Sequence, residues 1–422
     1  MDLRTDLLER FLRYVKINTQ SKDGVEDRFP STECQLDLAR LLEKELSGLG
    51  LSDVRLDAHG YLFATLPARL PPNHSRRVPT VGLLAHLDTY PGVPGDNVRP
   101  ILHENYSGGP LVLPHAPDLP IRPEENPDLE KYRTDTIITS DGRTLLGGDD
   151  KAGIAVIMSV LRWLQADPSL VHPRLRIGFT PDEEVGNGTK YFDIQAFGAD
   201  LAYTLDGGGV GEVEDETFSA DSATVTIVGS DVHPGYAKGK MVNAVRLAHQ
   251  FIARLPWAAA PETTDGRAGY LHPYQVSGSV SEARIQLLVR DFTEEGLKRL
   301  EDRLRDIAAD VLALEPRAKV AVEVKESYRN MKTVLDRHPQ VVEFAEEAVR
   351  RAGLVPQRKA IRGGTDGSRL SLAGLPTPNL SAGGYNFHSR QEWVALSAMV
   401  RSAQVLRELL GLWVERGLAA GG

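Results

Sequence analysis

Five short motifs in the 422-residue sequence contain nearly all of the acidic residues and histidines whose spacing could support chemistry. They are Ala-His-Leu-Asp-Thr (85–89), Gly-Gly-Asp-Asp-Lys-Ala-Gly (147–153), Pro-Asp-Glu-Glu-Val-Gly (181–186), Leu-Asp-Gly-Gly-Gly (205–209) and Gly-Gly-Tyr-Asn-Phe-His (383–388). The motifs at 85, 181 and 205 each lie at the end of an apolar, strand-like run. Because the carboxyl ends of parallel strands share one edge of a sheet, where ligands bind, we expect these motifs to converge.

Histidines and carboxylates brought together in this way favour a site for two divalent cations. Clustered carboxylates repel one another and raise each other's pKa values, and bound cations remove that repulsion. Imidazole and carboxylate ligands suit Zn²⁺, with Mn²⁺ and Co²⁺ as alternatives. Three ligand carboxylates and one hydroxide would balance the charge of two zinc ions. Metal ions about 3.5–4 Å apart lower the pKa of a bridging water and supply hydroxide at neutral pH.

Hydrolysis at such a centre also needs an acid that is not bound to metal. That group accepts the proton of the water and passes it to the leaving amine. The neighbouring Glu183 and Glu184 could supply one base and one ligand, because adjacent residues in a turn point in different directions. Each motif alone also has an ordinary explanation, such as a surface His-x-Asp pair, a helix N-cap or a solvated turn. The joint pattern, rather than any single motif, favours the metal site.

The elements that must position these motifs follow an α/β pattern. Helical periodicity predicts helices over 3–14, 32–49, 149–165 and 396–416, and apolar runs predict strands over 78–85, 175–180 and 200–205. Alternation of strands and helices favours a largely parallel sheet flanked by helices. The stretch 91–133 is rich in Pro, Gly and Asn and is predicted to be mostly loop.

The middle of the chain has a different order of elements. Strand-like and helical runs between 223 and 326 give the order βαββαβ of a ferredoxin-like unit. The sequence therefore predicts a catalytic domain formed by 1–216 plus 329–422, interrupted by an inserted domain at 217–328.

Composition limits the classes of function. The net charge of −9 and the absence of a recognised motif disfavour nucleic-acid binding. The single cysteine, Cys34, excludes an internal disulfide and a CxxC zinc site, which favours the cytoplasm. The first residues do not form a signal peptide, and no run of about 18 apolar residues is present, so we expect no membrane partner.

The five motifs resemble those of the M20 metallopeptidase family, and in particular its tripeptide aminopeptidases. Three further segments carry the same resemblance: 227–239 (IVGSDVHPGYAKG), 289–292 (VRDF) and 361–367 (IRGGTDG). The motifs occur in the family's order, and the similarity covers nearly the whole chain. It implies a zinc-peptidase-like catalytic domain and an inserted lid or dimerisation domain.

The resemblance also implies a role for each site residue. His86 and Asp206 match the ligands of a first zinc, Asp149 the bridging ligand, and Glu184 and His388 the ligands of a second zinc. Glu183 matches the general base, and Asp88 the carboxylate that orients His86.

The residues implied for substrate binding are His233, Asn243, Arg290 and Arg362. A guanidinium group matches a peptide carboxylate well, but a surface ion pair is the ordinary role of an arginine, and His233 could simply cap a loop. In relatives the inserted domain often forms a homodimer, and the matching histidine reaches the other active site. We carry both features over as hypotheses.

The sequence therefore predicts a di-zinc aminopeptidase that removes the N-terminal residue of tripeptides through a metal-bridging hydroxide, with Glu183 as general base. One alternative is a related M20 dipeptidase or amino-acid deacylase. Another is a metal-dependent peptide-binding protein without turnover.

Overall fold

The computed structural model describes residues 2–418, which form helices and strands in alternation. Within this range the α-helices are α1 (Leu3–Tyr14), α2 (Gln35–Gly48), α3 (Gly148–Ala166), α4 (Ile194–Phe197), α5 (Ala244–Ile252), α6 (Glu294–Leu314), α7 (Lys332–Leu335), α8 (Pro339–Arg351), α9 (Asp366–Leu372) and α10 (Leu396–Arg416). None of the helices in residues 2–418 combines the length and apolar character needed to cross a bilayer.

The strands belong to one large sheet and three smaller ones. They are β1 (Ser52–Leu56), β2 (Leu62–Leu66), β3 (Val81–His86), β4 (Ile101–His103), β5 (Leu111–Leu113), β6 (Ala116–Ile121), β7 (Ile137–Thr139), β8 (Leu175–Thr180), β9 (Leu201–Gly207), β10 (Glu212–Thr217), β11 (Ser219–Val228), β12 (Tyr270–Gly278), β13 (Glu282–Asp291), β14 (Lys319–Tyr328), β15 (Gln357–Ile361), β16 (Asn379–Ser381), β17 (Gly384–Tyr385) and β18 (Trp393–Ala395).

The large sheet has eight strands in the order β1-β2-β8-β3-β9-β16-β10-β15. Its four central strands, β8, β3, β9 and β16, are parallel, whereas β1, β2 and β10 pair antiparallel to their neighbours. Every residue of β3 and β8 is buried, as expected for central strands covered on both faces. Helix α3 packs on β3 and β9 and also contacts α1 and α10. The predicted α/β fold with a mostly parallel sheet is confirmed.

The stretch 91–133 is mostly loop, as predicted, but it also includes a few short regular elements. It contains β4, β5, β6 and a 3₁₀ helix at Pro127–Tyr132. These elements are short, so they leave almost no periodic signal in the sequence. They bury apolar side chains around Trp393, among them Leu113, Ile121 and Leu129.

Residue contacts divide the chain into two units. The main unit comprises 1–215, 333–359 and 365–422, and the inserted unit comprises 216–332 and 360–364. The sequence-based boundaries did not assign 360–364 to the insert. The inserted unit has the element order β11-α5-β12-β13-α6-β14 and an antiparallel sheet ordered β12-β13-β11-β14. Helices α5 and α6 cover this sheet and form a core with it.

Candidate metal centre

The parallel strands place three motifs at one edge of the large sheet. His86 is the last residue of β3, the turn at 181–186 follows β8, and Asp206 lies near the end of β9. Strands β8, β3 and β9 are neighbours, so their carboxyl ends lie side by side. Asp149 joins them from the start of α3, where the Asp149–Asp150 peptide bond is cis. His388 comes from the turn that follows β17, with a left-handed φ of 59°.

The Asp149 carboxylate lies between the two histidines. Its Oδ1 is 2.8 Å from His86 Nε2, and its Oδ2 is 3.3 Å from His388 Nε2. His86 Nε2 is also 3.5 Å from Asp206 Oδ1, and His388 Nε2 is 2.8 Å from Glu184 Oε2. The five predicted metal ligands therefore form one cluster in which Asp149 presents a different oxygen to each half.

The donor set of this cluster fits divalent cations. Ligand atoms of His86, Asp149 and Glu184 lie within 4.8 Å of one another, as do those of His86, Asp150 and Asp206. Glu184 Oε1 is buried and has no hydrogen-bond partner among the described residues, so an acceptor remains unused inside the cluster. Imidazole nitrogens and carboxylate oxygens are ligands that zinc and related ions accept.

Asp150 lies in the cluster although it was not among the predicted ligands. Its Oδ2 accepts a hydrogen bond from His86 N at 3.1 Å, and its Oδ1 accepts one from Gly153 N at 3.2 Å. Both carboxylate oxygens are thus engaged by backbone N–H groups. This geometry joins β3 to the first turn of α3.

The electrostatics of the cluster also favour cations. Burial, and then the negative charge of Asp149, raise the pKa of Glu184 to about 8 and that of Asp206 to about 6. Burial and the charge of Asp206 hold the pKa of Glu183 well above its ordinary value. Burial opposes protonation of His86, but the charge of Asp206 and hydrogen bonds to the neighbouring carboxylates raise its pKa nevertheless. The raised pKa values of these three carboxylates and of His86 all reflect an excess of buried negative charge. Bound cations would neutralise that charge.

Asp88 contacts both His86 and the turn after β8. The Asp88 carboxylate accepts hydrogen bonds from the backbone N–H groups of Glu183 (2.9 Å) and Glu184 (3.2 Å). His86 Nδ1 lies 3.0 Å from the Asp88 carbonyl oxygen and 3.3 Å from its Oδ1. Asp88 therefore contacts the ring that it was predicted to orient, and it also holds the turn that carries the predicted base.

Asp182 is a buried acid that supports the cluster, although it was absent from the predicted set. The Asp182 carboxylate accepts hydrogen bonds from Ser31 N (2.6 Å), Ser31 Oγ (2.5 Å) and Gln35 Nε2 (2.7 Å). Gln35 Oε1 in turn accepts from Asp182 N at 3.0 Å. Ser31 and Gln35 are about 150 positions away in sequence, and no local pattern signals such a contact. The network anchors the turn that carries Glu183 and Glu184.

The four residues predicted to bind substrate all belong to the inserted unit. His233 is exposed, and its Nδ1 accepts a hydrogen bond from Gly235 N at 3.2 Å, which is the loop-capping geometry of the alternative interpretation. Asn243 caps α5, because its Oδ1 accepts from Arg246 N at 3.1 Å.

The two arginines of this set make contacts within the inserted unit. Arg290 Nη1 donates to the carbonyl oxygen of Asp221 at 3.0 Å. Arg362 Nη1 donates to the carbonyls of Gly266 and Ala268 at 2.8 Å each, and its Nη2 donates to Thr264 Oγ1 at 3.0 Å. The Arg362 guanidinium, which was predicted to bind a peptide carboxylate, therefore already uses several of its N–H donors within the inserted unit.

An α/β fold with this histidine and carboxylate cluster defines a metallopeptidase-like class of protein, and comparison with known proteins identifies the family. The model of peptidase family M20/M25/M40 matches residues 125–411, and the chain belongs to this family of enzymes. A relative named peptidase T from Geobacillus thermodenitrificans is 44% identical over 414 residues, which are 98% of this chain and 100% of the relative. The resemblance seen in the sequence is confirmed.

Solved structures share the fold. A tripeptidase from Staphylococcus aureus has a TM-score of 0.76 and 23% identity, with 98% of this chain and 99% of that chain covered. Aminopeptidase PepT from Bacillus cereus has a TM-score of 0.74, also with 23% identity and the same coverage.

Proposed function

We propose that this enzyme is a metallo-aminopeptidase that removes the N-terminal residue from tripeptides. The observation that carries the proposal is the Asp149 carboxylate, which directs one oxygen toward each histidine beside the Glu183–Glu184 turn. The similarity to a relative named peptidase T, at 44% identity over nearly the whole chain, supports the substrate class.

The proposed centre would hold two Zn²⁺ ions, with Mn²⁺ and Co²⁺ as alternatives. His86 and Asp206 would hold one ion, Glu184 and His388 would hold the other, and Asp149 would contribute to both. When bound, such a pair of cations lowers the pKa of a shared water so that hydroxide is available at neutral pH.

Glu183 is the proposed general base. Its carboxylate would accept the proton of the attacking water and deliver it to the amine that leaves when the peptide bond breaks. Asp88 holds the backbone N–H groups of Glu183 and Glu184 and lies against His86. We assign Asp88 the task of keeping the base and the imidazole in fixed positions.

We also propose that the inserted unit acts as a lid or dimerisation domain. In this proposal His233, Asn243, Arg290 and Arg362 contribute to substrate recognition, and the protein forms a homodimer. A cytoplasmic location is part of the proposal, supported by the single cysteine.

A panel of substrates tests the function. Purified enzyme with added Zn²⁺ should release the N-terminal residue from tripeptides much faster than it cleaves dipeptides or N-acyl amino acids. N-acetylation of the tripeptide should abolish cleavage. Faster cleavage of dipeptides or N-acyl amino acids would favour the dipeptidase or deacylase alternative. Binding of tripeptides without cleavage of any of them would favour the non-catalytic alternative.

A further inference from the structure

A buried glutamate lies next to the candidate metal centre without belonging to the predicted ligand set. Glu392 follows His388 by four positions and immediately precedes β18. Only 1% of its surface is exposed. Among the described residues it forms no ion pair with a lysine, arginine or histidine.

The Glu392 carboxylate accepts three backbone hydrogen bonds. Its Oε2 accepts from Leu146 N and from Gly147 N, both at 2.8 Å, and its Oε1 accepts from Asp149 N at 3.0 Å. The three bonds therefore hold the turn that leads into α3 at a fixed distance from the His388 segment.

The backbone of this turn approaches Glu392 closely. A Cβ atom added at Gly148 would lie 3.0 Å from Glu392 Oε1 and 2.7 Å from Val394 Cγ2. Gly147 has a left-handed φ of 82°, which an L side chain rarely adopts. The turn thus combines a left-handed glycine with a close approach to Glu392.

We infer that Glu392 is a positioning residue for the metal centre, which joins the segment carrying His388 to the turn carrying Asp149. The inference rests on the proposed function, because it assumes that these two residues bind the cations. Glu392 touches neither substrate nor metal in this role. It fixes the backbone of Asp149, and thereby the direction of the carboxylate that lies between the histidines.

The test compares metal binding by Glu392→Gln with that of the wild-type enzyme. Glutamine keeps the size of the side chain, but its amide nitrogen cannot accept a hydrogen bond, so at least one backbone N–H loses its partner. We expect Zn²⁺ affinity, measured by competition with a chelator, to fall ~10–100-fold, as is typical when a residue supporting a ligand is replaced. The visible spectrum of the Co²⁺-substituted enzyme should also change.

Two further variants control for loss of stability. Glu45→Gln removes a glutamate of the same unit that accepts from Tyr14 Oη at 2.6 Å and from Arg13 Nη2 at 2.6 Å, away from the cluster. It should lower the melting temperature and leave Zn²⁺ affinity and the Co²⁺ spectrum unchanged. Glu392→Asp keeps the charge but withdraws the carboxylate by about one C–C bond of ~1.5 Å, so its Zn²⁺ affinity should fall as well, even if Glu392→Gln does not fold.

The inference would be overturned if a folded Glu392 variant bound Zn²⁺ as tightly as the wild-type enzyme and its Co²⁺ spectrum were unchanged. Glu392 would then have a purely structural role. Failure of the wild-type enzyme itself to bind Zn²⁺ would instead contradict the proposed function. The two failures are therefore distinguishable in one set of titrations.

Discussion

At the scale of single residues, the site depends on neighbouring acids that have different partners. Glu184 Oε2 contacts His388 at 2.8 Å, whereas no hydrogen bond to the Glu183 carboxylate is present among the described residues. This difference agrees with one ligand and one base in the same turn. Sequence reasoning could select both residues because they are adjacent, but it could not find Asp182, whose partners Ser31 and Gln35 come from a distant segment.

The different roles of the two glutamates can be separated by substitution. Glu183→Gln should retain the fold and both metal ions but lose ~10²–10⁴-fold in kcat, because the amide cannot accept the proton of the water. Glu184→Gln should instead lower the metal content, since it weakens the ligand that contacts His388. Metal analysis and steady-state kinetics of both variants measure these outcomes. Equal metal content and equal rates in the two variants would contradict the assignment.

At the scale of elements, the site depends on the close packing of α3 against the central sheet. Strands β3, β8 and β9 were predictable because they are short apolar runs, and α3 and α10 because their apolar residues follow the helical period. The elements within 91–133 were not, because β4 and β5 have only three residues each and β6 contains Pro117 and Pro120, which are atypical of a strand. Their place is set by burial around Trp393, which is far away in sequence.

Gly153 tests the packing of α3. A Cβ atom at this position would lie 2.1 Å from the carbonyl oxygen of Leu205 in β9 and 2.3 Å from Asp150 Oδ1. Gly153→Ala should therefore lower the free energy of unfolding by ~1–3 kcal/mol, as overpacking typically does, and weaken Zn²⁺ binding by shifting the start of α3.

Gly411 provides a matched control in another helix. It lies within α10, and a Cβ atom there would meet nothing within 4 Å. Gly411→Ala should raise stability by up to ~1 kcal/mol, because alanine favours a helix more than glycine does. Denaturant unfolding of both variants measures the difference, and a Gly153→Ala enzyme as stable as Gly411→Ala would contradict the packing argument.

At the scale of the whole molecule, a complementation experiment tests how the inserted unit serves the reaction. If His233 acts on the active site of a partner chain, an inactive His233→Ala chain mixed with an inactive Glu183→Gln chain should regain part of the activity after subunit exchange. Each mixed dimer would then contain one intact site and one doubly defective site. If His233 acts within its own chain, every site keeps one defect and no activity returns. A fully active monomer would contradict the across-chain proposal.

We propose that the cluster around Asp149 holds two divalent cations on which activity depends. Calorimetric titration of the chelator-treated, metal-free enzyme with Zn²⁺ tests this claim most directly, with tripeptide hydrolysis followed in the same samples. We expect two ions bound per chain, and activity that is absent without metal and restored as the sites fill. Full activity in a preparation with no bound metal would contradict it.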